Sequence, residues 1–245
     1  MAEREAGQNG REPLAALPPE LPPMFARMAE RLAPPPKAHA LPRDFDRAPG
    51  GDHILNPGSR LIRPGPLTPA AVLVPLIEQA GNVTMLFTRR NANLSSHSGQ
   101  ISFPGGRVEP EDEDLAACAL RETEEEIGLA RSHVRVLGAL DPYVVRSGFV
   151  VMPIVALVSP GFSLVPDPRE VDEIFEVPLD FLLDPRNHQR HSGTTDGVER
   201  HWWAMPYGEY YIWGATAGML RNFYERVSGD SPVPADIAAA RATGT

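Results

Sequence analysis

The hydrophobic pattern of this chain switches repeatedly between short apolar runs and helix-like spacing. Residues 71–77 and 83–88 are apolar runs separated by Gly81-Asn82, which predicts two strands joined by a turn. Residues 91–100 are polar and lead into the short run 101–103. From Leu115 the spacing lengthens: Leu115, Ala116, Ala119, Leu120, Thr123 and Ile127 recur at helical intervals, and Gly128 follows where a left-handed helix end is wanted. Runs at 134–140, 150–158 and 173–177 predict further strands, and 179–183 a short helix before Asp184-Pro185. Arms at 200–205 and 209–213 predict a hairpin, and Met219, Leu220, Phe223 and Val227 a closing amphipathic helix over 215–227. Strands and helices in this order predict an α/β class, a mixed sheet between helices.

Composition divides the chain. Residues 1–67 hold about half of its 27 prolines and are predicted to be largely disordered or extended. On that ground residues 1–50 are expected to be dispensable for catalysis. Within this stretch Met24, Phe25, Met28, Ala29 and Leu32 have helical spacing, so 24–33 reads equally as a docking helix and as a transient one. Residues 68–228 form the predicted domain, and 229–245 a disordered Pro/Ala-rich tail.

A formal net charge of −9 offers no basic footprint for nucleic acid or an anionic membrane, so neither is an expected partner. The oligomeric state stays open, a homodimer included. Cys118 is the single cysteine, which excludes an internal disulfide framework and fits a reducing compartment. Its place in the helix predicts a packing residue rather than a nucleophile. The first ten residues lack an apolar leader, and 150–158 is too short to span a bilayer, so a cytoplasmic location is expected.

The chemistry concentrates in FPGGRVEPEDEDLAACALRETEEEIGL, residues 103–129. On a helix Glu122, Glu125 and Glu126 stand at i, i+3 and i+4, gathering carboxylates on a flank of the apolar stripe. At about 6 Å and an effective dielectric near 20, each such pair repels by about 3 kcal/mol. A merely solvated face would interleave basic residues, and only Arg121 is near. Hard divalent cations such as Mg²⁺ take clustered carboxylate oxygens together with substrate phosphates, so a metal site is the better reading. The preceding Pro104-Gly105-Gly106 permits close backbone approach to something bound.

In combination, Gly106, Glu113, Arg121-Glu122, Glu125-Glu126, Gly128 and Leu129 resemble the Nudix box. One residue more than in the general box separates Gly106 from Glu113, which leaves Asp112 and Glu113 both open as the leading acid. Thr123 stands where the box has an aliphatic residue. Upstream, Thr88, Arg90, Gly99 and Phe103 to Gly106 are similar to the signature of the coenzyme A pyrophosphatase branch, which commonly carries the same expansion. Phe87, Asn91 and Ser95 depart from that signature, which has serine at the position of Asn91 and arginine at that of Ser95. The resemblance extends over about residues 68 to 228. It implies a Nudix-type α/β/α sandwich, a Mg²⁺ or Mn²⁺ cofactor held by Glu122, Glu125 and Glu126, and hydrolysis of the diphosphate of coenzyme A or an acyl-CoA. Arg121 is expected to orient a glutamate. Arg89, Arg90, Gly99, Phe103, Gly105 and Gly106 are expected at the substrate. Two alternatives remain: hydrolysis of another nucleoside diphosphate derivative, and a catalytically silent ligand sensor.

Other residues weigh less. His188 and His191 lie in a polar stretch without cysteines and read as solvated, while His97 reads equally as substrate contact and loop packing. Trp202, Trp203, Tyr210, Tyr211 and Trp213 alternate in the predicted hairpin and read as cross-strand packing. Glu170 reads as an exposed loop acid or as an extra acid from beyond the box.

Overall fold

The computed structural model describes residues 20–42, 50–57, 66–93, 98–195 and 197–228. A short helix α1 (Pro23–Ala29) is followed by β1 (Gly50–Gly51) and a one-turn helix α2 (Asp52–Leu55). Then come β2 (Thr68–Gln79), β3 (Asn82–Arg90), β4 (Ile101–Ser102), β5 (Gly105–Arg107) and the long helix α3 (Leu115–Ile127). The next strands are β6 (Val134–Ala139), β7 (Tyr143–Val144), β8 (Phe149–Val158) and β9 (Val171–Pro178). After α4 (Leu179–Leu182) follow β10 (Gln189–Thr195), β11 (Val198–Tyr207), β12 (Tyr210–Trp213) and the closing helix α5 (Ala215–Ser228).

β1 to β9 form one mixed sheet, in the order β1-β7-β8-β2-β3-β4, with β5 also on β2, β6 on β8 and β9 on β3. Its centre is the parallel pair β2 and β8, in register from Thr68↔Phe149 to Ile77↔Val158. β8 is buried along nearly its whole length, as a strand covered on both faces must be, and so its sequence is an unbroken apolar run. Alternation along the strands divides the core into two. Leu73 and Ile77 of β2 join Leu115, Ala119 and Ile127 of α3 on one face. Val74 and Leu76 meet Met219 and Phe223 of α5, with Phe25 of α1 and Leu182 of α4, on the other. The α/β/α layering expected from the sequence is thus present, with the predicted strands in place.

Two features differ from the sequence reading. The expected hairpin is a three-stranded sheet, because Gln189–Thr195 pairs with β11 from Gln189↔Ala204 to Thr195↔Val198. Its residues, QRHSGTT, carry no apolar alternation, so only the pairing reveals the strand. Secondly, parts of the proline-rich stretch lie against the domain. Phe25 is fully buried, and Ala33 exchanges both backbone hydrogen bonds with Ala139, at 3.1 and 2.7 Å. The Asp52 carboxylate accepts from the Tyr143 hydroxyl at 2.9 Å and the Arg146 N–H at 3.1 Å.

Candidate active site

α3 begins and ends on local signals. The Asp114 side chain accepts from the Ala117 N–H at 2.8 Å as N-cap, and Gly128 closes the helix at φ 69°. Thr123, in place of an aliphatic residue, is fully buried and donates its hydroxyl to Ala119 O at 2.6 Å, so it leaves no unpaired polar group. The buried face of α3 comprises Leu115, Cys118, Ala119, Thr123, Glu126 and Ile127, so Glu126 points inward rather than standing on a flank. The facing strand is β5. Gly105, at φ 150°, lies so close to Ala71 and Val72 that no Cβ fits. A Cβ on Gly106 would occupy the place of the Glu122 carboxylate. Gly105 therefore lets β5 lie against β2, and Gly106 lets the sheet and the acid side of α3 come together.

Glu126 is 4% exposed; its Oε2 accepts from the Gly105 N–H at 3.1 Å, and its Oε1 lies 3.7 Å from Arg90 Nη1. Burial pushes its pKa up to about 7 against the pull of that N–H and of Arg90, and the negative charge of Glu170 and Glu122 adds to the rise. Glu122 is shifted upward too, chiefly by burial, with Glu125 and Glu170 contributing in the same direction. Glu170, exposed and far along the chain, thus stands within electrostatic reach of both box acids.

Arg121 knits the rest together. It donates from Nη1 to Glu122 and Glu125, both at 3.1 Å, from Nη2 to Arg107 O at 3.0 Å, and from Nε and Nη2 to the two oxygens of Asp112, each at 3.0 Å. The bidentate pair holds the Asp112 carboxyl below its ordinary range. Glu113, the other candidate, is 88% exposed at its side chain and meets Lys37 at 3.8 Å. Of the two candidates, Asp112 is the one that Arg121 holds. Cys118 lies beneath, its thiol pushed up to about 12 chiefly by burial, as a packing residue.

The predicted substrate residues separate. Arg90 faces α3 and Glu126, whereas Arg89 points through the opposite face, to Glu173 at 3.1 Å and over the Tyr210 ring at 5.3 Å. Phe103, expected at the substrate, is a core residue instead: alternation turns it inward, where it stacks on Phe87 with centroids 5.0 Å apart. Gly99 occupies a turn at φ 67°, its N–H donating to Arg90 O. Ser95 and His97 lie outside the described residues.

His188, expected to be solvated, is buried; its Nε2 is 2.8 Å from Leu182 O and its Nδ1 3.3 Å from Arg221 Nη1. Its neighbour on that side, α5, is distant in sequence and gave no local signal. Trp202, Tyr211 and Trp213 share the outward face of the three-stranded sheet, and Tyr210 stacks inward on Phe175. Among the described residues, no three acids, histidines or cysteines converge closely enough to enclose an ion as they stand. Arg121 is bonded to both Glu122 and Glu125 there.

Sheet, helix and glycine strand together define an α/β/α sandwich with a carboxylate-lined site along one helix. Comparison with known proteins agrees: the NUDIX domain family matches residues 67–198. A Photorhabdus laumondii protein named uncharacterized Nudix hydrolase NudL is 41% identical over 158 residues, covering 64% of this chain and 84% of that protein. A protein of the same name from Yersinia pestis is 38% identical over 159 residues, covering 65% and 79%. Among solved structures, a C. elegans Ap4A hydrolase binary complex overlays 45% of this chain and 80% of its own at TM-score 0.40, with 22% identity. The chain belongs to the Nudix hydrolase family. No described helix is long and apolar enough to cross a membrane.

Proposed function

We propose that this chain hydrolyses the diphosphate bond of coenzyme A or an acyl-CoA, giving 3′,5′-ADP and (acyl-)4′-phosphopantetheine. The observation that carries the chemistry is Glu126, a carboxylate almost fully buried beside Glu122 and against a glycine strand that admits no side chain. Such a group is costly unless a cation compensates it. The donor set fits a hard ion, because every donor is a carboxylate oxygen. Glu122, Glu125 and Glu126 would hold Mg²⁺ or Mn²⁺, which supplies charge neutralisation of the diphosphate and a lowered pKa for the attacking water.

The remaining roles belong to the chain itself. Asp112 fixes the Arg121 guanidinium, which in turn fixes the Glu122 and Glu125 side chains it bonds. Arg90, on the same face of the sheet, is the cation placed to meet a phosphate oxygen. Gly105 and Gly106 let the diphosphate approach the backbone. Arg89, engaged with Glu173 on the other face, is assigned a supporting role.

The coenzyme A substrate rests on the signature residues Thr88, Arg90, Gly99 and Phe103 to Gly106. The test is a panel of coenzyme A, ADP-ribose and NADH with Mg²⁺ or Mn²⁺, the products identified by mass. Coenzyme A should have the highest kcat/KM, and Glu125→Gln and Glu126→Gln should each abolish turnover while the fold persists. ADP-ribose as the better substrate would leave the hydrolase chemistry and remove the coenzyme A assignment. Near-normal turnover by both variants would remove the carboxylate site itself.

A further inference from the structure

β5 meets different surroundings on its two faces. A Cβ on Gly106 would run into the Glu122 carboxylate, so that residue faces α3 and its acids. Arg107 comes next, and alternation turns its side chain to the other face, the one that packs on α5. There it lies over the Phe149 ring, its guanidinium carbon 5.1 Å from the ring centroid. Phe149 is half-buried against the core on that same side. β2 runs between the two residues, with Ala70 opposite Arg107 and Thr68 opposite Phe149, so the arginine reaches across a small residue. Both partners are held at the backbone. Arg107 O accepts from Arg121 Nη2 at 3.0 Å and from Cys118 Sγ at 3.3 Å, while Phe149 O accepts from the Val145 N–H at 2.9 Å.

The stacked guanidinium keeps its charge available. Arg107 is exposed, and among the described residues no carboxylate lies within ion-pair distance of it, whereas Arg89, Arg90 and Arg121 are each paired with one. Stacking on a ring restrains a long side chain while leaving its N–H fork free for a bidentate oxygen partner. Arg107 is not among the residues that define the box, yet its backbone adjoins Gly106, over which the proposed diphosphate lies. A substrate crossing these glycines therefore has the acids on one side of β5 and a spare, oriented cation on the other. We propose that Arg107 is a specificity-determining residue: seated on Phe149, it binds a phosphate monoester of the substrate apart from the diphosphate, which in coenzyme A is the 3′-phosphate. The inference rests on the coenzyme A reading above. It gives that reading a residue that tells coenzyme A from ADP-ribose and NADH, which carry no such group.

The test measures binding and turnover separately in the full chain, in Arg107→Gln and in Phe149→Leu. Binding of adenosine 3′,5′-bisphosphate and of adenosine 5′-monophosphate is read by titration calorimetry in chelator. Turnover is read as kcat/KM for coenzyme A and for 3′-dephospho-coenzyme A with Mg²⁺. The parent should favour the 3′-phosphorylated member of each pair. Arg107→Gln should cut both preferences by roughly tenfold or more, the worth of one charge-assisted contact, and leave the members without the 3′-phosphate within about twofold of the parent. Phe149→Leu keeps the cation but removes its seat, and should cut the preferences by about two- to fivefold. The melting temperature of Arg107→Gln should stay within a few degrees of the parent, because the carbonyl of this residue, not its side chain, bonds α3. An unselective parent, preferences that survive in Arg107→Gln, or a loss shared equally by both members of a pair would each overturn the inference. If coenzyme A is not hydrolysed while the bisphosphate preference is present and falls in Arg107→Gln, the coenzyme A reading fails and the phosphate subsite stands. If coenzyme A is the best substrate and neither preference moves, the subsite alone fails.

Discussion

At Glu126 the stability of the fold and the chemistry of the site pull in opposite directions. Burial raises its pKa from 4.5 to about 7 in the folded protein. The folded state therefore holds the proton more tightly than the unfolded chain. The resulting stability is fully present below pH 4.5 and is lost as pH rises through about 7. Glutamine removes the charge yet keeps an oxygen for the Gly105 N–H. In chelator at pH 8, Glu126→Gln should melt several degrees above the parent, by at most about 3 kcal/mol, and the two should converge near pH 4. Thermal melts at both pH values check this; a variant less stable than the parent at pH 8 contradicts it. The neighbouring pair Asp112 and Glu113 makes a second contrast. Asp112 takes both arms of Arg121 while Glu113 meets only Lys37 at the surface. Asp112→Asn is expected to lower kcat by about tenfold or more, the worth of a charge-assisted bidentate contact, and Glu113→Gln to leave it within about twofold. An effect of Glu113→Gln on kcat as large as that of Asp112→Asn contradicts this.

Among the elements, α1 shows how a short segment acquires its structure from what it packs on. Seven residues are too few for a helix to persist alone, and its N-terminus has no side-chain cap. Phe25 and Met28 enter the core beneath α5 and the sheet instead. Phe25→Ala should cost about 3–5 kcal/mol in urea unfolding, the range for an emptied aromatic core site. Deleting residues 1–42 should lower stability further, because it also removes Met28 and Leu41. A truncated protein as stable as the parent contradicts this; the expectation that residues 1–50 are dispensable for catalysis is a separate one, checked by the rate of a protein starting near Gly51 on coenzyme A. β10 is the converse case: its sequence carries no strand signal, and its pairing with β11 alone makes it a strand.

On the scale of the whole molecule, the candidate substrates share the diphosphate that the box would meet, so discrimination must come from groups outside it. Ser95 stands where the coenzyme A signature has arginine. Ser95→Arg should raise the preference for coenzyme A over 3′-dephospho-coenzyme A by roughly tenfold or more, the worth of one charge-assisted contact to the 3′-phosphate. The ratio of kcat/KM for the two substrates, in parent and variant, measures it. The sequence by itself determined the class of fold, the main strands, and α3 with its carboxylate spacing and its end at Gly128. These are local properties: apolar period, capping residues and i, i+3, i+4 spacing all act within a few residues. Only the tertiary structure decided that Glu126 is buried, that Asp112 rather than Glu113 holds Arg121, and that Arg89 and Arg90 serve opposite faces of the sheet. It also fastened the connection before β9 both to the end of α3 and to the residue after β3. The physical reason is distance along the chain. Burial, the partner of a charge and the meeting of two loops depend on segments tens of residues apart, and nothing in the local pattern of either segment encodes the other.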